Sequence, residues 1–177
     1  MKVAIFGGSF DPPHLAHVQV VHYLLESKHY DEVWVIPSKQ NPLKERGHEF
    51  SERFKMCQLA FAEFGKKVQI RDDEKKMSGF TIDLIRHLKK KFPEYLFSFI
   101  AGSDLRDQIA QWKESAALQQ MIDFEFLPRP PQPGSPFLPL SSTEVRRQLA
   151  AGRDPRGLLP EKVAQYVEKG QLYGRED

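Results

Sequence analysis

The chain has 177 residues and a net charge of +2, and 40% of its residues are hydrophobic. This length fits a single domain, 1–177, with an ordinary core, and the small net charge gives no sign of a nucleic-acid-binding surface. The single cysteine, Cys57, cannot form an internal disulfide, and no apolar run approaches the ~20 residues that span a bilayer. We therefore expect a cytoplasmic protein without nucleic-acid or membrane partners. The sequence leaves open whether the chain forms a homo-oligomer.

Along the chain, apolar spacing alternates between that of strands and that of helices. Strands are predicted at residues 2–6, 32–37, 67–71, 95–101 and 124–127. Helices are predicted at about 14–28, from Ser51 onward, and at 81–92, 143–151 and 160–169. Because such alternation forms parallel sheets, we predict an α/β fold, a Rossmann-like doubly wound sheet with C-terminal helices. Ligands bind at the carboxyl ends of the strands in such sheets.

Two glycines and two histidines follow the first predicted strand. Gly7-Gly8 ends the strand, and His14 and His17 stand at the start of the next predicted helix. Glycine turns and helix N-termini bring backbone N–H groups close to anions, and histidines donate hydrogen bonds to phosphate oxygens. The pattern therefore predicts a phosphate site, although a tight turn with surface histidines is an alternative.

The full string resembles the nucleotidyltransferase signature G-x-[ST]-F-D-P-x-H-x-G-H. The matching residues are Gly8, Ser9, Phe10, Asp11, Pro12, His14 and His17, and Gly7 precedes them. Ala16 stands where the family usually has glycine. The resemblance implies that ATP is bound by Gly7, Gly8, Ser9, Phe10, His14 and His17. It also implies that His14 and His17 are catalytic, and that Ser9 contacts the second substrate, a mononucleotide.

A second set of matches follows the second predicted strand. Pro42 and Lys44 fit the family's Pro-Pro-His-Lys loop, with Asn41 and Leu43 departing from it, and Arg53 and Met56 fit its Arg-x-x-Met pattern. The resemblance implies that Lys44 is catalytic and reaches over the triphosphate as a mobile point charge. It also assigns Lys44 and Arg53 to the mononucleotide. Without the resemblance, Lys44 is a solvated loop lysine.

Matches to the pyridine-nucleotide branch of the family follow the third and the fourth predicted strands. Its Ser-Tyr-Thr signature, with an Asp two residues later, is matched by Thr81 and Asp83, while Gly79 and Phe80 differ. Its G-x-D…W pattern is matched by Gly102, Asp104 and Trp112. The resemblance implies that Phe80, Thr81, Asp104 and Trp112 bind the mononucleotide, with Asp104 on a ribose hydroxyl and Trp112 stacked on the pyridine. Gly102 and Asp104 are also assigned to ATP. A helix cap at Ser78 or Thr81 and a core role for Trp112 are the alternatives.

The last matches follow the fifth predicted strand. Arg129, two residues after its end, is assigned to the mononucleotide by the resemblance. Residues 128–139 hold six prolines, which favours a stiff surface loop over a disordered linker. The family's closing pattern I-S-S-T-x-I-R is matched by Ser141, Ser142, Thr143 and Arg146. The resemblance implies a phosphate clamp for ATP, and a capping box is the alternative.

Taken together, these motifs are similar to those of the bacterial nicotinate mononucleotide adenylyltransferases. That family transfers the adenylyl group of ATP to nicotinate mononucleotide and releases pyrophosphate, in NAD biosynthesis. The resemblance implies direct attack of the mononucleotide phosphate on the α-phosphorus, with Mg²⁺ entering on ATP, since no carboxylate cluster predicts a dedicated metal site. The alternatives are transfer to another acceptor (nicotinamide mononucleotide or phosphopantetheine), a cytidylyltransferase, and a nucleotide sensor without turnover. The matches at Thr81, Asp83 and Trp112 argue against phosphopantetheine and against a cytidylyltransferase, whereas the choice between nicotinate and nicotinamide stays open. The joint presence of His14, His17 and Lys44 argues against a sensor.

Overall fold

The computed structural model describes residues 1–39 and 47–174. All five predicted strands form, and their ends differ from the predicted ones by at most two residues. They are β1 (Lys2–Gly8), β2 (Glu32–Pro37), β3 (Val68–Ile70), β4 (Leu96–Gly102) and β5 (Asp123–Leu127). They make one parallel sheet in the order β3-β2-β1-β4-β5, which confirms the predicted fold class.

In these two described ranges, six α-helices connect or follow the strands. They are α1 (Leu15–Glu26), α2 (Phe50–Ala60), α3 (Thr81–Lys91), α4 (Ser115–Met121), α5 (Ser142–Ala150) and α6 (Glu161–Lys169). Helix α2, predicted from Ser51 onward, begins one residue earlier, at Phe50, so Ser51 lies inside the helix rather than capping it. Helix α4 was not predicted. It has seven residues and buries only Leu118, so it has no apolar periodicity to detect.

Successive residues of the central strands face opposite sides of the sheet, and each side is covered by helices. On one side Ala4, Val33 and Ile100 pack against α1, α2 and α6. On the other side Ile5, Trp34 and Phe99 pack against α3 and α4. Because both faces are buried, the strands are almost continuously apolar, which is why the sequence predicted them.

The strand order places a crevice above the middle of the sheet. From β1 the chain proceeds outward to β2 and β3, then returns to the other side of β1 for β4 and β5. The direction of winding therefore reverses between β1 and β4, and loops leaving their carboxyl ends diverge there. The strand ends Gly8 and Gly102 lie at this point. Among the residues described, no helix is long and apolar enough to cross a membrane.

The proline-rich segment 128–139 is a surface loop, as predicted, and it is held at both ends. Near its start, the Ser135 hydroxyl donates to the Pro128 carbonyl at 2.9 Å. Near its end, the Leu138 N–H donates to Oε1 of Gln19 at 2.7 Å, and the Phe137 ring packs edge-on against Tyr23 of α1. The loop therefore lies against the outer face of α1 rather than leaving the domain.

Candidate active site

The two histidines of the first motif form a stacked pair where α1 begins. Their ring centroids are 3.7 Å apart with an interplanar angle of 21°. His17 Nδ1 accepts a hydrogen bond from the His14 backbone N–H at 3.1 Å. In a neutral ring that accepts at Nδ1, the proton sits on Nε2. His17 therefore presents an Nε2–H donor away from the backbone that orients it.

His14 is the more deeply placed of the two, with 3% of its surface exposed. Within the part of the chain that the structure describes, its Nδ1 is buried and has no hydrogen-bond partner. A buried polar atom without a partner costs free energy, and such atoms are concentrated at sites where a ligand completes the bonding. The stacked pair is therefore a candidate for contact with a bound group.

Both rings are held in the uncharged state. Burial, with a smaller contribution from the nearby Arg129 cation, lowers the pKa of His14 to about 4. Burial, then His14, then Arg129 also lower the pKa of His17 well below its usual value. At neutral pH the pair consequently acts through N–H donors rather than as cations. A bound polyanion would reverse part of this shift, since negative charge favours the protonated ring.

Arg129 and Asp104 form an ion pair across the ends of β4 and β5. Arg129 Nη1 lies 3.1 Å from Asp104 Oδ2, and both side chains are half exposed. A Cβ atom built on Gly102 would lie 2.3 Å from Asp104 Oδ1, so only glycine allows the carboxylate to fold back over the strand end. The observed position of the Asp104 carboxylate therefore depends on the glycine at 102. Arg129, which pairs with Asp104, also lies close enough to His14 and His17 for its positive charge to lower their pKa values.

The N-terminus of α5 docks on the segment between β1 and α1. Ser141 caps the helix by accepting from the Glu144 N–H at 3.2 Å, which is one half of the capping box given as the alternative; the Glu144 carboxylate accepts from Arg147 and Gln148 instead. The Ser142 hydroxyl donates to the Pro12 carbonyl at 3.0 Å, and Arg146 Nη1 donates to the Asp11 carbonyl at 2.6 Å. First-turn N–H groups have no partner within a helix. This end of α5 therefore offers N–H donors and one guanidinium beside residues 9–14, the loop that ends in His14 and is called the histidine loop below.

Two residues predicted to touch substrate have other contacts in the structure. Arg53 is 3% exposed, and its guanidinium donates to the carbonyls of Ser9 (2.7 Å), Ser38 (2.9 Å) and His48 (3.0 Å). It therefore holds three loop segments together, and the predicted contact with the mononucleotide would require those loops to open. The Phe10 side chain is likewise buried in the core, which leaves only its backbone for a ligand. Lys44 lies outside the described residues.

The start of α3 carries the residues assigned to the pyridine ring. Phe80 precedes the helix and is 49% exposed, and Thr81 is the first helical residue. Lys113 Nζ lies 4.6 Å from the Phe80 ring centroid and 3.3 Å from Asp83 Oδ2. Lys113 was not predicted to be a site residue. The structure brings its cation to the helix N-terminus.

Trp112 is half buried, and its ring meets Phe99 and Phe124 edge-on at centroid distances of 6.0 and 6.3 Å. The indole therefore packs on the core through part of its surface, as the alternative interpretation held. The remaining surface is open to a ligand. Its predicted stacking on a pyridine ring stays a prediction.

The sequence itself matches a known family over most of its length. Residues 5–148 fit the model of the cytidylyltransferase-like family. A protein of Anaeromyxobacter dehalogenans (strain 2CP-C) named probable nicotinate-nucleotide adenylyltransferase is 36% identical, over 97% of this chain and 96% of its own. A protein of the same name from Anaeromyxobacter sp. (strain K) is 38% identical over the same shares. The chain belongs to the nicotinate-nucleotide adenylyltransferase family.

The fold agrees with solved structures that carry the same family name. Nicotinic acid mononucleotide adenylyltransferase of Plasmodium falciparum, solved with NaAD, superposes with a TM-score of 0.78 at 24% identity, covering 97% of each chain. A protein from Vibrio parahaemolyticus gives 0.80 at 24% identity, covering 99% of this chain and 96% of its own. At these identities the likeness establishes the fold.

In this adenylyltransferase-family chain, the residues predicted from the motifs gather at one edge of the sheet. Those that the strand ends and the contacts above bring together are Gly7, Gly8, Ser9, His14, His17, Gly102, Asp104, Arg129, Ser141, Ser142, Thr143 and Arg146. The other predicted residues that the structure describes, Phe10, Arg53, Phe80, Thr81 and Trp112, have the separate surroundings given above. Their individual assignments to ATP or to the mononucleotide stay predictions. Sequence reasoning missed His48 and Tyr173, which contact Asp11 from distant parts of the chain.

Proposed function

We propose that this chain transfers the adenylyl group of ATP to nicotinate mononucleotide, producing nicotinate adenine dinucleotide and pyrophosphate in NAD biosynthesis. The observation that carries the proposal is the stacked His14–His17 pair at the reversal point of the sheet. Relatives with this enzyme name at 36% and 38% identity over nearly the whole chain support the assignment.

The reaction is a direct displacement. A phosphate oxygen of the mononucleotide forms a bond to the α-phosphorus of ATP, while the bond from that phosphorus to the bridging oxygen of pyrophosphate breaks. Phosphoryl-type transfers depend mainly on positioning and on stabilising charge, so no protein nucleophile is required. Neutral His14 and His17 supply fixed N–H donors to the α- and β-phosphate oxygens. Because its hydrogen bond from the His14 N–H orients the His17 ring before substrate binds, His17 stabilises the growing charge without reorganisation.

We propose that the pyrophosphate half of ATP binds against the N-terminal end of α5. Arg146 and the first-turn N–H groups of α5 suit a polyanion, since a guanidinium and a helix N-terminus both favour negative charge. Lys44, beyond the described residues, is proposed to add a further cation. Mg²⁺ is proposed to arrive as part of the ATP substrate on its phosphate oxygens, as is usual for this ion, and to neutralise their charge.

The acceptor end of the site is proposed to prefer nicotinate to nicotinamide. The N-terminus of α3 at Phe80 and Thr81 favours a carboxylate by about 0.3–2 kcal/mol, depending on burial. Lys113 lies against Phe80 and pairs with Asp83, so it offsets the carboxylate of the first turn and leaves the place more favourable for an anion. Together with charge-assisted hydrogen bonds, these terms give a preference for the acid of roughly 10²-fold, at about 1.4 kcal/mol per decade.

The test is product identification with single acceptors. The purified chain is incubated with ATP and Mg²⁺ plus nicotinate mononucleotide, nicotinamide mononucleotide or phosphopantetheine, and CTP replaces ATP in a parallel set. We expect the chain to form dinucleotide and pyrophosphate from nicotinate mononucleotide and ATP. Turnover with the other acceptors, or with CTP in place of ATP, should be far slower. Turnover mainly with phosphopantetheine or with CTP would contradict the proposal, and nucleotide binding without any turnover would favour a sensor.

A further inference from the structure

We propose that Tyr173, near the carboxyl end of the chain, is a positioning residue for adenylyl transfer, because it holds Asp11 of the histidine loop in place. The inference rests on the proposed function. Its structural basis is a buried carboxylate that joins three distant segments of the chain at the candidate site.

Asp11 is 6% exposed and is surrounded by donors. The Tyr173 hydroxyl donates to Asp11 Oδ1 at 2.5 Å. The His48 backbone N–H donates to Oδ2 at 3.3 Å, and His48 Nδ1 lies 3.3 Å from Oδ1. A Cβ built on Gly47 would lie 3.0 Å from Oδ2, so glycine there permits the close approach of the two segments. A carboxylate buried this deeply depends on each of its donors.

The Asp11 carboxylate joins two segments that lie next to the proposed phosphate site. On one side is the loop 9–14, which ends in His14. On the other are Gly47 and His48, which directly follow the segment that contains Lys44. Arg53 makes a parallel link, since it donates to the carbonyls of both Ser9 and His48. Removing a donor from Asp11 therefore loosens one of two described links between the loop 9–14 and the segment of Gly47 and His48.

The position of Tyr173 is itself fixed by the C-terminal helix. After α6 the chain turns back, and the Leu172 N–H donates to the Val167 carbonyl at 3.0 Å. The Tyr173 ring lies 4.1 Å from the His48 ring, and its backbone has a φ of +63°. A tyrosine rarely adopts this left-handed conformation, so the contact with Asp11 is kept at a conformational cost.

The hydroxyl of Tyr173 remains a donor across the working pH range. Burial and the adjacent Asp11 carboxylate raise the pKa of Tyr173 well above its usual value. The phenol therefore keeps its proton, and its effect on catalysis is exerted through Asp11 rather than through proton transfer.

The chain offers a matched control on α6. Tyr166 also donates to a carboxylate, Glu52 Oε2, at 2.7 Å, and also ties the C-terminal region to α2. We compare Tyr173→Phe with Tyr166→Phe, measuring kcat, both KM values and the thermal midpoint. Loss of a hydrogen bond to a charged group predicts that Tyr173→Phe lowers kcat about 10-fold or more with KM values within about 3-fold. Tyr166→Phe is expected to leave kcat within about 2-fold of the wild type, the scale of a neutral surface change.

Coupling to Asp11 separates positioning from general destabilisation. If Tyr173 acts through Asp11, the double variant D11N/Y173F has a kcat within about 2-fold of D11N alone, since contacting residues are not additive. Multiplied effects of the two substitutions, or an unchanged kcat in Tyr173→Phe, would overturn the inference.

A readout that needs no turnover distinguishes this failure from failure of the proposed function. Amide hydrogen exchange in peptides spanning residues 8–14 and 47–49 is expected to quicken in Tyr173→Phe and to stay unchanged in Tyr166→Phe. Wild-type protein that makes no dinucleotide would refute the proposed function, whereas equal exchange in both variants would refute the link between Tyr173 and the loop.

Discussion

Substitutions of His17 separate its catalytic donor from its role in the fold. Its Nδ1 accepts from the His14 N–H at 3.1 Å, which leaves the Nε2–H free to meet a phosphate oxygen. Asparagine places an oxygen near the Nδ1 position and removes the distal donor. Glutamine places an amide N–H near the Nε2 position, and alanine removes both groups. The three variants therefore test the two ring nitrogens individually.

The expected magnitudes follow from these contacts. Loss of one preorganised donor lowers kcat by about 10²–10³, or roughly 2.7–4 kcal/mol of transition-state stabilisation. We expect this loss in His17→Asn and His17→Ala, and a smaller loss in His17→Gln. In His17→Ala the part-buried His14 N–H also loses its partner, which costs about 1–3 kcal/mol of folding stability. For a chain of this size each kcal/mol lowers the thermal midpoint by about 2–4 °C.

The assay combines steady-state pyrophosphate release, at varied ATP and varied mononucleotide, with thermal unfolding followed by circular dichroism. We expect His17→Asn to unfold close to the wild type while its kcat falls. Near-normal kcat with a raised KM in His17→Asn would refute the reasoning, since it would show binding that is equal in the ground and transition states. Equal stability of His17→Ala and His17→Asn would refute the assigned hydrogen bond.

Three further predictions follow from the same geometry. Because burial holds the pKa of folded His14 at about 4 against 6.5 in the unfolded chain, the unfolded state takes up the proton first as pH falls. The free energy of unfolding is therefore highest above pH 6.5 and falls by up to about 3 kcal/mol as the pH is lowered towards 4. Urea unfolding across that range should show the free energy of unfolding decreasing with pH, and His14→Gln should make this pH dependence weaker. An unchanged pH dependence in His14→Gln would contradict the burial effect. Arg146→Lys keeps the charge but loses the planar fork, so KM for ATP should rise while KM for the mononucleotide stays nearly constant; a rise confined to the mononucleotide would place Arg146 in the other pocket. Lys113→Met should lower the ratio of kcat/KM for nicotinate over nicotinamide mononucleotide by about 2- to 5-fold, the scale of one exposed ion pair, and an unchanged ratio would exclude Lys113 from acceptor choice.

The sheet could be predicted from sequence because its strands are buried on both faces. The runs that became β1, β2 and β4 are nearly continuous in apolar residues, and glycine or proline marks their ends. Helix α4 could not be predicted in this way. It is short, and it begins after Glu114 in a left-handed conformation that no local signal specifies.

The site could be predicted in part because its motifs are local and lie at strand ends. Contacts between distant residues were not accessible in the same way. The Tyr173 hydroxyl meets a carboxylate 162 positions away along the chain, and only the folded C-terminal turn brings them together. Arg53 was assigned to a ligand from its motif, whereas in the structure its buried guanidinium donates to the carbonyls of three loops.

Transfer of labelled ATP tests the proposed reaction most directly. The chain is incubated with nicotinate mononucleotide, Mg²⁺ and ATP labelled at either the α- or the γ-phosphorus, and the products are separated by chromatography. We predict that the α label enters nicotinate adenine dinucleotide in equal molar amount to the pyrophosphate that carries the γ label. Absence of the α label from the dinucleotide, or γ label recovered as free phosphate without dinucleotide, would contradict adenylyl transfer by this chain.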